Sequence, residues 1–267
     1  MRRSVLGIGI AGAVVALSGW LLAPAGALVP RSGVGVFHPV AGETVPVHGG
    51  TTSSLNWSGY VVTPPAKVTT VSSTFTVPSV GLVPPGFSAM WTGIGGYNAQ
   101  DLIQAGVAAQ SLPSLPLLGP QYSAWYEILP ARETPLTGCA GDSNCTVAPG
   151  DTISVTISNT GANNWSVAMS DAGKWGFTKT LNYASSESSA EWIYEAPTLV
   201  AVQTIPAPVT GFAHFGPAST FNGSSIASGN PTSIDMGLGI GLNEATPSAL
   251  NGESFNVCTY ASSCPAP

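Results

Sequence analysis

From about residue 55 onward, apolar and polar side chains alternate in short runs broken by Pro, Gly and Asn. The runs are Val68 to Val77, Met90 to Ile94, Leu102 to Ala108, Tyr122 to Leu129, Thr152 to Ser158, Trp165 to Ser170, Glu191 to Glu195 and Phe255 to Tyr260. A period of two sends successive side chains to opposite faces, and turn residues recur about every ten positions, so each run predicts a β-strand. No stretch of about twelve or more residues keeps the 3.6 period of a helix. The pattern predicts an all-β domain: an antiparallel β-sandwich of two packed sheets, jelly-roll or concanavalin-like. No internal repeat is evident.

The first 54 residues read differently. In residues 1–27, Arg2 and Arg3 precede an apolar run from Val5 to Leu22, and Ala25-Gly26-Ala27 follows. That order predicts a signal peptide removed on export. The run approaches the ~20 residues of a membrane span, but its small-residue exit and its Ser and Gly favour a signal over an anchor. The Arg2-Arg3 pair leaves the export route open. Residues 28–54, rich in Gly, Val, Pro and Thr without periodicity, predict a linker or short propeptide. Residues 55–267 remain as one domain, since roughly 210 residues suit a single large β core. The mature protein is expected outside the cell, free of the membrane, as a monomer.

Only 7% of the 267 residues are charged, with a net charge of −6. The surface offers no basic stripe for phosphates, which excludes nucleic acid as a partner. A surface solvated by Ser, Thr, Asn and Gly has few carboxylate ion pairs to lose on protonation, so the composition tolerates low pH. The four cysteines form two local pairs, Cys139 with Cys145 and Cys258 with Cys264, and predict two small disulfide loops in an oxidising compartment. Neither pair has Cys-x-x-Cys spacing and no His sits nearby, which argues against zinc, and no other metal or cofactor is expected.

Familiar hydrolase signatures are missing: no Gly-x-Ser-x-Gly, no His-Glu-x-x-His, no Asp-Thr-Gly or Asp-Ser-Gly loop. Of the three His, His38 and His48 fall in the linker, so a His-dependent triad would need His214, which reads as structural. The scarce carboxylates are better placed. Alternation puts Glu127 on one face with Trp125 and Leu129, and Glu191 and Glu195 on one face with Ile193. Such a carboxyl is either on a strand's solvent face or desolvated, with a raised pKa that suits a proton carrier. Gln104, in Leu102-Ile103-Gln104-Ala105-Gly106-Val107, is likewise polar within an apolar strand and can both donate and accept hydrogen bonds.

At these residues the chain resembles the glutamic peptidases, the eqolisin family of secreted, acid-acting endopeptidases. The resemblance is carried, in order, by Asn56-Trp57-Ser58-Gly59-Tyr60, Trp91-Thr92-Gly93-Ile94-Gly95-Gly96, Leu102 to Val107, Ala124-Trp125-Tyr126-Glu127 and Ala190-Glu191-Trp192-Ile193-Tyr194-Glu195. The turn Val147-Ala148-Pro149-Gly150-Asp151 lies between the last two. The resemblance implies a two-sheet sandwich, a polypeptide substrate, and a catalytic pair of Gln104 and Glu191 working without metal or His. It also implies a supporting or cleft role for Glu127 and a place for Trp91 at the site, with structural roles equally open for both. Two departures stand out. Fungal members commonly carry Asp where this chain has Gly95, so tuning by that carboxylate is missing or comes from elsewhere, and the Ser111 to Gln121 loop is longer.

Two other readings compete. Glu127 and Glu191 would serve a jelly-roll glycosidase of the retaining type if ~5 Å apart, with Trp91, Trp125 and Trp192 stacking on sugars. A lectin-like module without catalysis is the other.

Overall fold

The structure is a computed structural model that describes residues 44–47, 51–111, 119–199, 202–237 and 243–267. The chain divides into two units, Met1–Ser32 and Gly33–Pro267. The expected signal peptide and most of the Ser111 to Gln121 loop lie outside the described residues.

The principal strands are β1 (Trp57–Val62), β2 (Thr70–Thr76), β3 (Gly86–Gly95), β4 (Leu102–Ser111), β5 (Gln121–Ile128), β6 (Thr152–Gly161), β7 (Asn164–Asp171), β8 (Trp175–Asn182), β9 (Ala190–Glu195), β10 (Ala213–Phe215), β11 (Thr232–Gly237), β12 (Asn243–Pro247) and β13 (Phe255–Thr259). Antiparallel pairing orders one sheet β5-β4-β3-β9-β1-β11. The other runs β8-β7-β6-β2-β10-β13-β12. A short ladder between β11 and β12 joins them along one edge. Among the described residues the one helical turn is Ile226–Gly229, and no helix is long and apolar enough to cross a membrane.

The core lies between the sheets, where alternation delivers it. From the first sheet come Met90, Ile94, Val107, Trp192 and Tyr194; from the second, Phe75, Ile153, Val167, Phe215 and Phe255. Trp192 also ties the layers through its Nε1, which donates to the Ser72 carbonyl at 2.9 Å. The first sheet carries a second apolar cluster on its other face, formed by Trp57, Val61, Ala89, Trp91, Leu102, Trp125, Leu129, Ile193 and Ile234. This second face holds the carboxylates and the glutamine that the sequence singled out.

Several strands escaped the alternation rule for physical reasons. β1 is buried on both faces, so its sequence has no polar stripe. β8 is largely exposed and owes its form to pairing with β7 rather than to an apolar face. Within residues 28–54, expected to carry no packed element, Thr44–Val47 pairs with Thr51–Ser54, and Thr51–Ser54 runs parallel to β11 at the sheet's edge. Both expected disulfides close, Cys139–Cys145 with an S–S length of 1.98 Å and Cys258–Cys264 with 2.09 Å.

Candidate active site

One row of residues crosses the first sheet at right angles to its strands. Glu127 on β5 faces Gln104 on β4, Gln104 faces Gly93 on β3, Gly93 faces Glu191 on β9, and Glu191 faces Val61 on β1. Neighbouring strands lie about 4.8 Å apart, so Gln104 and Glu191 start roughly 10 Å from each other across a glycine. Their side chains point to the same face because the register keeps the pleats in phase. Gly93 is what keeps the space between them open. A Cβ there would lie 2.9 Å from the Trp91 ring and 3.1 Å from the Ile103 carbonyl.

The row is buried, Gln104 and Glu191 each at 0% exposure and Glu127 at 1%, which removes the solvent-face reading of these side chains. Gln104 Nε2 donates one hydrogen bond to Glu127 Oε2 at 2.7 Å. Its amide retains a second N–H, and its Oε1 has no hydrogen-bond partner among the described residues. Neither oxygen of Glu191 meets a donor in ordinary hydrogen-bond geometry among the described residues. Burial, above all, holds the Glu191 carboxyl well above the usual carboxylate range; the Ser189 hydroxyl and the Tyr97 amide pull it down, and the charge of Asp101 adds to the rise.

Further along the same face, Glu195 accepts from Trp91 Nε1 at 2.6 Å and from Asn56 Nδ2 at 3.0 Å. Trp91, stacked edge-on against Trp57 at 5.1 Å between centroids, thus walls the gap left by Gly93. Trp91 is fully buried in the apolar cluster of this face. His214 lies on the other sheet, in β10, with Nδ1 2.8 Å from Asn256 Oδ1. Asp101 is the neighbour that the sequence did not single out, because one carboxylate just ahead of a strand reads as an ordinary turn residue.

The profile of the Peptidase A4 family matches residues 55–262. The chain belongs to that family. The solved structures agree on its fold: scytalido-glutamic peptidase with a transition-state analogue inhibitor superposes with a TM-score of 0.63 at 19% identity, covering 77% of this chain and 98% of that one. SCP-B, an eqolisin in complex with the tripeptide Ala-Ile-His, gives 0.58 at 18% identity over the same shares. No curated protein sequence matches the chain. As a Peptidase A4 member the protein is a glutamic-type endopeptidase. The row geometry also removes the glycosidase alternative, since Glu127 and Glu191 stand roughly 14 Å apart along the sheet with Gln104 between them.

Proposed function

We propose that the protein is a secreted endopeptidase that hydrolyses peptide bonds in acid through an activated water, with Glu191 and Gln104 as its catalytic pair. The observation that carries this reading is the alignment of both side chains on one buried face across Gly93. Ionised Glu191 takes a proton from water as the water oxygen bonds to the scissile carbonyl carbon. The carbonyl oxygen becomes an oxyanion and accepts a hydrogen bond from the free N–H of Gln104, whose other N–H is held by Glu127. When the C–N bond breaks, Glu191 returns the proton to the departing nitrogen. An amide donor keeps its capacity at any pH, whereas a His base would be protonated in acid.

Burial opposes the ionisation that this cycle requires. Burial holds the Glu191 carboxyl well above the usual carboxylate range. Water admitted with the substrate lowers that penalty, and the active form is expected to begin between Leu28 and Leu55. The apolar leader and the two disulfides support export. N-terminal sequencing of the secreted form checks this, and an intact Met1 on a fully active extracellular protein would refute it.

Purified mature enzyme, its Glu191→Gln variant and its Gln104→Ala variant, assayed on denatured casein near pH 4, test the mechanism. Both variants should fold and lose at least ~10²-fold in hydrolysis. Near-wild-type turnover in either variant would remove the pair. EDTA and serine-directed fluorophosphonates should leave the activity intact.

A further inference from the structure

Asp101 stands immediately ahead of β4, where Gly95 pairs with Leu102. Gly95 has φ 84°, and a Cβ built on it would lie 2.7 Å from the Asp101 carbonyl and 2.9 Å from Asp101 Oδ2. The Asp101 carboxylate therefore occupies the space that a side chain at position 95 would take. It is held there by the Ser186 amide, which donates to Oδ2 at 2.6 Å, and by the Ser185 hydroxyl, at 3.0 Å. Ser185 in turn accepts from the Glu187 amide at 3.1 Å, and the Ser189 carbonyl accepts from the Gly95 amide at 3.0 Å. The segment that leads into β9 is thus fastened at both ends to the corner where β3 passes to β4, two residues ahead of Glu191.

We propose that Asp101 is a positioning residue for peptide hydrolysis: it ties the 185–189 segment that delivers Glu191, and its own carboxyl sits at the corner from which that segment is held. The proposal rests on Glu191 being the base. The other titratable groups on the elements around Glu191 are Glu195 on its own strand and Glu127 beyond Gln104. The adjoining loops add Tyr97, Tyr183, whose hydroxyl oxygen accepts from the Leu102 amide at 3.0 Å, and Glu187, which is paired with Lys67 at 2.7 Å. Tyr60 on β1 turns to the opposite face, into the core between the sheets. Of these charges, that of Asp101 opposes the ionisation of Glu191, in line with the placement. A charged Asp101 makes Glu191 a stronger base at the cost of needing a higher pH to ionise.

The test compares kcat/KM against pH for wild type, Asp101→Asn and Asp101→Ala, with Glu191→Gln as control and circular dichroism at each pH. Asparagine keeps an acceptor for Ser185 and Ser186 but removes the charge. The acid limb of Asp101→Asn should move to lower pH, raising kcat/KM below the limb by about twofold to tenfold. Asp101→Ala should show the same displacement together with a loss of about tenfold in kcat at every pH, because the tie is gone. A folded Asp101→Asn enzyme whose profile superposes on wild type, alongside an inactive Glu191→Gln, overturns the role of Asp101 alone. A failure of Asp101→Asn to fold also overturns it, since the isostere would then expose a purely structural demand. An active Glu191→Gln overturns the underlying mechanism instead.

Discussion

At the scale of single residues, the site is built as much by an absent side chain as by those present. Gly93 separates Gln104 from Glu191, and Gly93→Ala would place a methyl 2.9 Å from the Trp91 ring. Overpacking of this kind costs about 1–3 kcal/mol, so the variant should lose stability in thermal unfolding and, more sharply, turnover, because the methyl intrudes where the proposed mechanism seats the scissile carbonyl. Glu127 offers a cleaner separation of roles. Its Oε2 holds one N–H of Gln104, so Glu127→Ala should leave the fold standing and lower kcat by about 10²-fold with little change in KM. Steady-state kinetics on a soluble peptide decide between this and a structural role, which would lower Tm without a selective loss of kcat. A side chain at Gly95 would run into Asp101, whose Oδ2 lies 2.9 Å from where its Cβ would stand.

At the scale of elements, the edge of the first sheet is the part least expected from composition. Thr51–Ser54 lies parallel to β11, and Ser54 Oγ accepts from the Asn56 and Trp57 amides at 3.3 and 3.2 Å while donating to Asn56 Oδ1 at 3.1 Å. Asn56 then reaches Glu195, and Glu195 reaches Trp91. The segment before Leu55 is therefore coupled to the wall of the site. A mature chain cut to start at Leu55 should be less stable than one starting at Thr44 by about 1–3 kcal/mol, since two buried amides and a buried carboxamide lose the Ser54 hydroxyl as a partner. Denaturant unfolding of the two truncated forms measures the difference, and equal midpoints would show that the strand at the edge adds nothing.

At the scale of the whole molecule, the carboxyl groups set the response to pH. Burial raises Glu191, Asp235 and Glu244, and it raises Asp171 beside Asp151, while Asp151 is lowered by its contact with Lys174 and by the Ala148 amide. A carboxyl raised on folding contributes stability that is complete below its unfolded pKa and is lost as pH climbs through its folded pKa. Stability should thus be greater at pH 4 than at pH 7, and Glu191→Gln should raise Tm at pH 7 but not at pH 4. A Tm that falls steadily from pH 7 to pH 4 in wild type would contradict this. In the proposed mechanism activity needs Glu191 ionised, so the mature enzyme should show a bell with its optimum at roughly pH 3 to 5 once water reaches the site; an optimum above about pH 7 with folded protein would exclude Glu191 as the base. Alternation in the chain by itself determined the strands that carry the candidate site and which of their faces are apolar, though not β1, β8 or the strands at the sheet's edge. It put Glu127 with Trp125, and Glu191 with Glu195, because pleating acts residue by residue. Only the tertiary structure decided that β4 and β9 both flank β3, since strand order depends on contacts far apart in sequence. For the same reason no local pattern could reveal the burial of Glu191 or the seat of Asp101 against Gly95.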